Sequence, residues 1–188
     1  MKKVSAIILL FTISVLSLIS CMGTYCYEKV ETYGNWDKFG IESDLMPESI
    51  DGYIVNEYSF IVYNYFDTCY EIFLDITVSE EGLQELIANA RISFSTFITR
   101  DAPYCDGYIE MVFKDYYERW SVEEQSDGFE QVGWADIDKL IYNPDTGNVI
   151  LVSFHANDTS VYDVENIAYF NRFSITPEEY ILYIDYSR

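Results

Sequence analysis

Residues 70–78 read "YEIFLDITV", and this stretch decides the fold class of the chain. Apolar and polar side chains alternate along it with a period of two, which is typical of a β-strand with one buried and one wetter face. The buried face is predicted to comprise Tyr70, Ile72, Leu74, Ile76 and Val78. The wetter face is predicted to comprise Glu71, Asp75 and Thr77.

The segments on either side of this stretch predict its neighbours. Residues 51–63 are dense in β-formers, and "NYFDT" (64–68) supplies a turn, so the two strands are predicted to pair as an antiparallel hairpin. After the second strand, Ser79 is suited to cap a helix whose first turn carries Glu80 and Glu81. This helix has one apolar stripe, formed by Leu83, Leu86, Ile87 and Ala90, and we expect it to lie across the sheet.

The rest of the chain has mostly strand patterns. Residues 108–117 alternate again, and residues 140–142 and 149–154 flank the turn sequence "NPDTGN". Residues 176–179 resemble a capping box, and "YILYIDY" after them is interpreted as an edge strand, with a short helix as the alternative. This order predicts an α+β fold, a single domain of mostly antiparallel sheet with one main helix packed on a face.

Composition limits the classes of partner. The 188 residues include 18 Tyr, 12 Phe and 3 Trp, so the chain is too rich in aromatic residues to be disordered. Its formal net charge is −21, which disfavours nucleic acid, because phosphate binding needs a basic surface. Cations, basic proteins and neutral molecules such as glycans remain as partners. Alternatively, the acidity serves only to keep the protein soluble.

The N-terminus has the layout of an export signal. Lys2 and Lys3 precede an apolar run at residues 6–16, and Leu18-Ile19-Ser20-Cys21 follows. The last four residues resemble the lipobox of bacterial lipoproteins. The resemblance covers residues 1–21 and implies that the chain is cleaved before Cys21. It also implies that Cys21 carries lipid, including palmitate-type acyl chains, and such double acylation anchors a protein stably.

This resemblance implies an organisation for the whole chain. Residues 1–20 would be the signal peptide, 21–44 a tether, and 45–188 the globular α+β domain. The protein would be exported and anchored by its lipid to the bacterial membrane, with the domain outside the cytoplasm. The alternatives are an uncleaved transmembrane helix over residues 4–22 and an ordinary signal peptide. Loss of Lys2 and Lys3 would leave 9 basic residues against 32 acidic ones, a formal charge of −23.

Three further cysteines allow one disulfide in an oxidising compartment. Cys26 falls in the expected tether, so Cys69 and Cys105 are the preferred pair. A bridge between them would close a loop of about 36 residues and stabilise the domain by roughly 3–4 kcal/mol on the chain-entropy model. The alternative is three free thiols.

Signatures of catalysis are absent from the sequence, and no catalytic residue and no cofactor is predicted. His155 is the one histidine, so a zinc site of the H-E-x-x-H type is excluded. Neither G-x-S-x-G nor a P-loop nor G-x-G-x-x-G occurs. His155 is interpreted as structural or exposed, and a pairing with Cys69 or Cys105 is the open alternative.

Two weaker patterns suggest ligands. An acidic loop carries oxygen ligands of the kind that calcium prefers, although it lacks the EF-hand order: Asn157, Asp158, Asp163 and Glu165. The alternative is a solvated acidic loop. Trp36, Trp120 and Trp134 are candidates for a glycan-stacking platform, but aromatic residues on strands more often pack in the core.

These observations favour a lipid-anchored extracytoplasmic protein with a non-enzymatic binding or interaction domain. Its expected partners are the membrane, through the N-terminal lipid, and a protein or glycan of the cell envelope. Two alternatives stay open. One is an envelope-acting hydrolase that uses carboxylates. The other is an inhibitor or immunity-type protein that binds a basic partner.

Overall fold

The alternating stretch at residues 70–78 lies at the middle of the sheet, within strand β3 (Thr68–Thr77). The structure is a computed structural model and describes residues 23–64, 68–119, 132–159 and 168–174. The other strands are β1 (Gly23–Tyr27), β2 (Ile54–Asn64), β4 (Ile98–Asp101), β5 (Ile109–Arg119), β6 (Val132–Asn143) and β7 (Asn148–Thr159). The helices are α1 (Glu80–Ser93) and α2 (Ala168–Phe173), and two 3-10 helices span Val30–Thr32 and Asn35–Phe39.

The seven described strands form one antiparallel sheet in the order β1-β2-β3-β7-β6-β5-β4. The predicted hairpin joins β2 to β3, and a second hairpin joins β6 to β7 around Asn143–Asn148. Helix α1 carries the chain from β3 to the far edge, which leaves room for β7 to pair with β3. The prediction of a single, mostly antiparallel α+β domain with one main helix is confirmed.

The core between the sheet and α1 follows the predicted faces. On the sheet side of this core, Ile72, Leu74 and Ile76 are fully buried. On the helix side, the four residues of the apolar stripe of α1 are buried as well. Ser79 caps the helix, since its hydroxyl accepts a hydrogen bond from the backbone of Gly82 at 3.2 Å. Helix α1 is therefore fixed both by its cap and by its apolar stripe.

The segment after residue 22 differs from the tether predicted over residues 21–44. Strand β1 pairs with β2 from Gly23↔Asn64 to Tyr27↔Phe60. Beyond it, Trp36 and Ile41 are each only 6% exposed and belong to the core. Aromatic contacts with Phe60 hold this segment against the sheet. The sequence did not predict this, because short 3-10 turns have no sustained hydrophobic periodicity.

The second face of β3 also differs from its prediction as a wetter face. Glu71 and Asp75 are each 2% exposed, because a second apolar layer covers this side of the sheet. The loop after β4 and helix α2 pack here against Phe73, Ile137, Ile141, Ile150, Val152 and Phe154. Both faces of the central strands are therefore covered.

Gly147 lies in the turn between β6 and β7, where it closely approaches the backbone of Val78, between β3 and α1. It has φ +70°, and an added Cβ would lie 2.3 Å from the carbonyl oxygen of Val78. Gly147→Ala should therefore destabilise the domain by at least about 2 kcal/mol in urea unfolding, beyond the cost of a left-handed alanine. Gly52→Ala is the control, because Gly52 has φ +87° with nothing within 4 Å of an added Cβ. Equal losses in the two variants would contradict the expected clash.

Candidate functional site

A group of polar side chains lies on the α1 face of the sheet, next to the apolar core. The register brings His155 on β7 opposite Tyr70 on β3 and Asp136 on β6. We call this group the His155 cluster, and it consists of Tyr70, Lys114, Asp136, Asp138, Ser153 and His155. His155 shares its strand face with Ser153, as the alternation predicts.

Charged and polar contacts connect the His155 cluster. His155 Nδ1 lies 3.8 Å from Asp136 Oδ1, and the imidazole stacks on the Tyr70 ring with 5.8 Å between centroids. Lys114 Nζ lies 3.0 Å from Asp138 Oδ2 and 3.6 Å from Asp136 Oδ1. The Ser153 hydroxyl donates to Asp138 Oδ1 at 2.7 Å. The cluster therefore joins two carboxylates to one lysine and one imidazole.

The surroundings shift the pKa of three members. The neighbouring imidazole of His155 lowers the pKa of Asp136, with Lys114 adding to this effect against partial burial. Burial acts to lower the pKa of Lys114, but Asp138 and Asp136 outweigh it and raise that pKa. Burial raises the pKa of Tyr70, so its phenol stays protonated near neutral pH.

A cleft of about 300 Å³ adjoins the cluster and is lined by His155, Tyr70 and residues 39–42. An imidazole whose Nδ1 faces a carboxylate can take a proton from water at its other nitrogen. Ser153 is unsuited as a nucleophile, since it is 2% exposed and its hydroxyl donates to Asp138 rather than to His155. The arrangement therefore supports proton transfer more than covalent catalysis.

The pKa of Asp136 offers a test of this electrostatic coupling. His155→Gln should raise it back toward the ordinary 3.8, because the imidazole is the largest cause of its depression. A depressed carboxyl pKa stabilises the fold above the unfolded value, and that contribution is lost as pH falls through the lower folded value. Carboxyl NMR titration would measure this, with Lys114→Met, expected to cause a smaller rise, as the comparison. An unchanged Asp136 pKa in His155→Gln would contradict the coupling.

A larger groove lies between residues 43–49 and helix α1, with a volume of about 520 Å³. Its floor is apolar and buried, formed by Leu45, Met46 and Leu86. Exposed carboxylates and one apolar side chain form its rim: Asp44, Glu48, Glu85 and Ile92, the last of these 83% exposed. The described residues that line it include no Lys, Arg or His. We call this the acidic groove.

The wall of the acidic groove is fixed by the core. The Tyr33 hydroxyl donates to the backbone carbonyl of Pro47 at 2.7 Å, and the Tyr33 ring meets Trp36 edge-on with 4.8 Å between centroids. Burial raises the pKa of Tyr33 well above its usual range, so this hydrogen bond persists at any physiological pH. The hydrogen bond therefore fixes the backbone of Pro47, on one side of the groove.

The opposite face holds buried carboxylates whose contacts are structural. Asp75 accepts hydrogen bonds from Asn56 at 2.9 Å and from Asn148 at 2.6 Å, and it pairs with Arg172 at 3.0 Å. Glu71 accepts one from the backbone of Ala168 at 2.9 Å. These bonds hold helix α2 against β3, and they occupy groups that catalysis would need free.

The predicted disulfide between Cys69 and Cys105 is not formed, since both cysteines keep their thiols. Cys69 is buried near the start of β3, whereas Cys105 lies in the loop before β5 and interacts with Arg172. Arg172 binds Asp75, six positions along β3 from Cys69, or about 20 Å at the usual rise per residue. A disulfide requires Cα atoms within about 7 Å, so the topology separates the pair.

The structure describes only two residues of the predicted calcium loop. Asn157 and Asp158 lie on β7 rather than in a loop, because β7 continues to pair with β6 as far as Thr159. Asp163 and Glu165 lie outside the described residues, as do Cys21 and Trp120. Within the described ranges no three His, Cys, Asp or Glu side chains are placed to hold a metal ion. Trp36 is buried in the core, which removes it from a glycan platform.

Neither the partners of His155 nor the acidic groove was predicted from the sequence. The signal for the first was present, since Asp136 and Asp138 alternate with Ile137 and Lys139 on one strand. Only the strand order, however, places that strand beside β7. No sequence pattern indicates the acidic groove, because its rim is formed by residues about 40 positions apart in the chain.

The chain matches no family model, no curated protein and no solved structure. None of the helices in the described part of the chain combines the length and the apolar character that crossing a bilayer requires.

Proposed function

We propose that this chain is a lipid-anchored protein outside the cytoplasm whose domain binds a positively charged partner and does not catalyse a reaction. The lipobox-like residues before Cys21 support the anchor. The acidic groove supports the binding role, and it is the single observation that carries it. Its rim of carboxylates over an apolar floor suits a basic, amphipathic segment of an envelope protein.

The acidic groove fits this role better than the His155 cluster fits catalysis. An apolar floor supplies affinity by burial, while rim carboxylates supply attraction and orientation. A basic toxin or enzyme is one partner of this kind, which makes the inhibitor or immunity-type interpretation a specific form of the same proposal. A glycan partner would use stacking instead, and its binding would hardly respond to salt.

Site-specific photo-crosslinking on living cells tests the binding role. A crosslinker at Ile92 should give an adduct that weakens as ionic strength rises and is lost in Glu85→Lys. Glu81→Lys is the matched control, since Glu81 is exposed on the same helix without lining the acidic groove. An adduct that persists in Glu85→Lys, or that ignores salt, would rule out the groove as the docking surface.

The anchor is tested separately by the mass of the N-terminal peptide of membrane-purified protein. The peptide should begin at Cys21 and carry two or three acyl chains, and Cys21→Ser should abolish both the modification and the membrane association. An intact Met1 end without lipid would contradict the proposal.

A hydrolase is the second candidate, and the contact between His155 and Asp136 beside an open cleft favours it. In this function His155 would take a proton from a water molecule that attacks an envelope polymer. Turnover by the purified protein that His155→Gln abolishes would establish this activity in place of simple binding. The thermal stability of the variant should fall only slightly, by the contribution that the imidazole makes to the Asp136 carboxylate.

A further inference from the structure

A separate cavity opens on the face of the sheet opposite α1, beside the edge formed by β1 and β2. Its volume is about 560 Å³, which is within the range of small-molecule sites. Glu28, Glu57 and Ser59 contribute polar groups to its wall, and Val30, Val55 and Ile61 contribute apolar ones. We call it the Ser59 cavity, and neither the acidic groove nor the His155 cluster includes these residues.

Ser59 is the feature that points to a ligand. The residue is 7% exposed, and its hydroxyl oxygen is buried without a hydrogen-bond partner among the described residues. Ser59 pairs with Phe73 on the adjacent strand β3, and the Phe73 side chain lies on the face covered by α2. Buried hydroxyls are almost always hydrogen-bonded, because an unmade bond is costly. Because the oxygen is closed off from solvent, a donor that entered the cavity would make the missing bond once the side chains over the hydroxyl move aside.

The charge of the cavity selects the kind of ligand. Glu28 and Glu57 are exposed carboxylates at its wall, and no Lys, Arg or His occurs among its described lining residues. Within the described part of the chain, no three acidic or other metal-binding side chains converge to hold a metal ion. An organic cation is therefore favoured over a metal, since it needs fewer converging carboxylates and uses the apolar wall.

We propose that the Ser59 cavity binds a small primary alkylamine in its ammonium form. An ammonium group has three donors, of which one can be accepted by the Ser59 hydroxyl and the others by carboxylates. The methylene chain would contact Val30, Val55 and Ile61, the apolar residues that line the cavity. This role is independent of the acidic groove, so either site can fail without the other.

Calorimetry with 1,5-diaminopentane on the full chain in detergent micelles tests the proposal. The diamine should bind, and pentane-1,5-diol of the same length should not. Ser59→Ala should weaken binding about ten-fold, because it removes one hydrogen bond to a charged group. Glu57→Gln should weaken it several-fold and reduce its salt dependence, while Glu85→Gln in the acidic groove should leave it unchanged.

Unfolding of the same variants separates a binding role from a structural one. Ser59→Ala should unfold at the same temperature as the unmodified chain or a higher one, since it removes an unsatisfied buried hydroxyl. Reduced affinity at undiminished stability would support the site. Equal affinity in Ser59→Ala, equal binding of the diol, or no binding of the diamine would each overturn the proposal.

Discussion

Glu110→Ala should destabilise the domain by about 3–5 kcal/mol, a large share of the roughly 5–15 kcal/mol that holds a typical domain folded. Glu110 on β5 is fully buried, and its carboxylate pairs with Arg100 of the edge strand β4. The Tyr104 hydroxyl donates to it at 2.6 Å, and Lys139 Nζ lies 3.7 Å from it. Truncation would remove the acceptor that these three groups share.

Removing both buried charges should cost much less than removing one. The double variant Glu110→Met, Lys139→Met loses the buried ammonium together with the buried carboxylate that it contacts. The remaining charged partner, Arg100, is 24% exposed and can turn to water. Urea unfolding of the two single variants and the double variant forms a double-mutant cycle, and the double variant should recover most of the loss. Additive losses would contradict a direct coupling between Glu110 and Lys139.

Local sequence patterns were sufficient to predict the sheet and its main helix, but not the bulge that interrupts strand β2. The alternation at residues 70–78 predicted which side chains of β3 meet α1, and the cap and stripe of α1 were readable in the same way. On β2 the alternation in the sequence predicts that Ile54 shares a face with Tyr58, Phe60 and Val62, and this fails at Ile54. Ile54 is 66% exposed, because a bulge between Val55 and Glu57 shifts the register before it. Nothing in the composition of that strand marks the bulge.

The burial of Glu71 and Asp75 depends on residues far along the chain. Both looked like solvent-facing positions on an amphipathic strand, yet Ala168 and Arg172, each 97 positions away, supply their partners. A pattern with a period of two reports which residues share a face and not what covers that face. For the same reason the sequence showed His155 but not Asp136, since their contact requires the order β7-β6 in the sheet.

The lipid anchor, if present as proposed, should orient the domain on the membrane. Strand β1 begins at Gly23, so only Met22 separates it from Cys21. Two Cα–Cα steps span at most about 7.6 Å, which holds the start of β1 at the bilayer interface. Gly23 pairs with Asn64, at the end of the sheet opposite the β6–β7 turn. The acidic surface should keep the domain from lying flat on anionic lipid.

Energy transfer to a lipid-borne acceptor in anionic vesicles should show this orientation. A donor on Cys26, which is exposed near the anchored end, should transfer strongly. A donor at Thr146→Cys, in the β6–β7 turn, should transfer weakly, because the ten residues of β3 separate the two ends by about 30 Å. Cys105→Ser in both proteins, and Cys26→Ser in the second, would restrict labelling to the intended thiol.

A spacer variant shows whether the short connection causes the difference. Ten Gly and Ser residues inserted between Met22 and Gly23 form a flexible chain with a root-mean-square length of roughly 17 Å. The Cys26 donor should then move away from the acceptor and the two labels should become similar, while the lipid mass on Cys21 stays the same. Equal transfer from both positions in the unmodified, lipidated chain would mean that the domain lies on its side. The edge strand would then face the lipid along its whole length, and the acidic groove would have to be reached from the plane of the membrane.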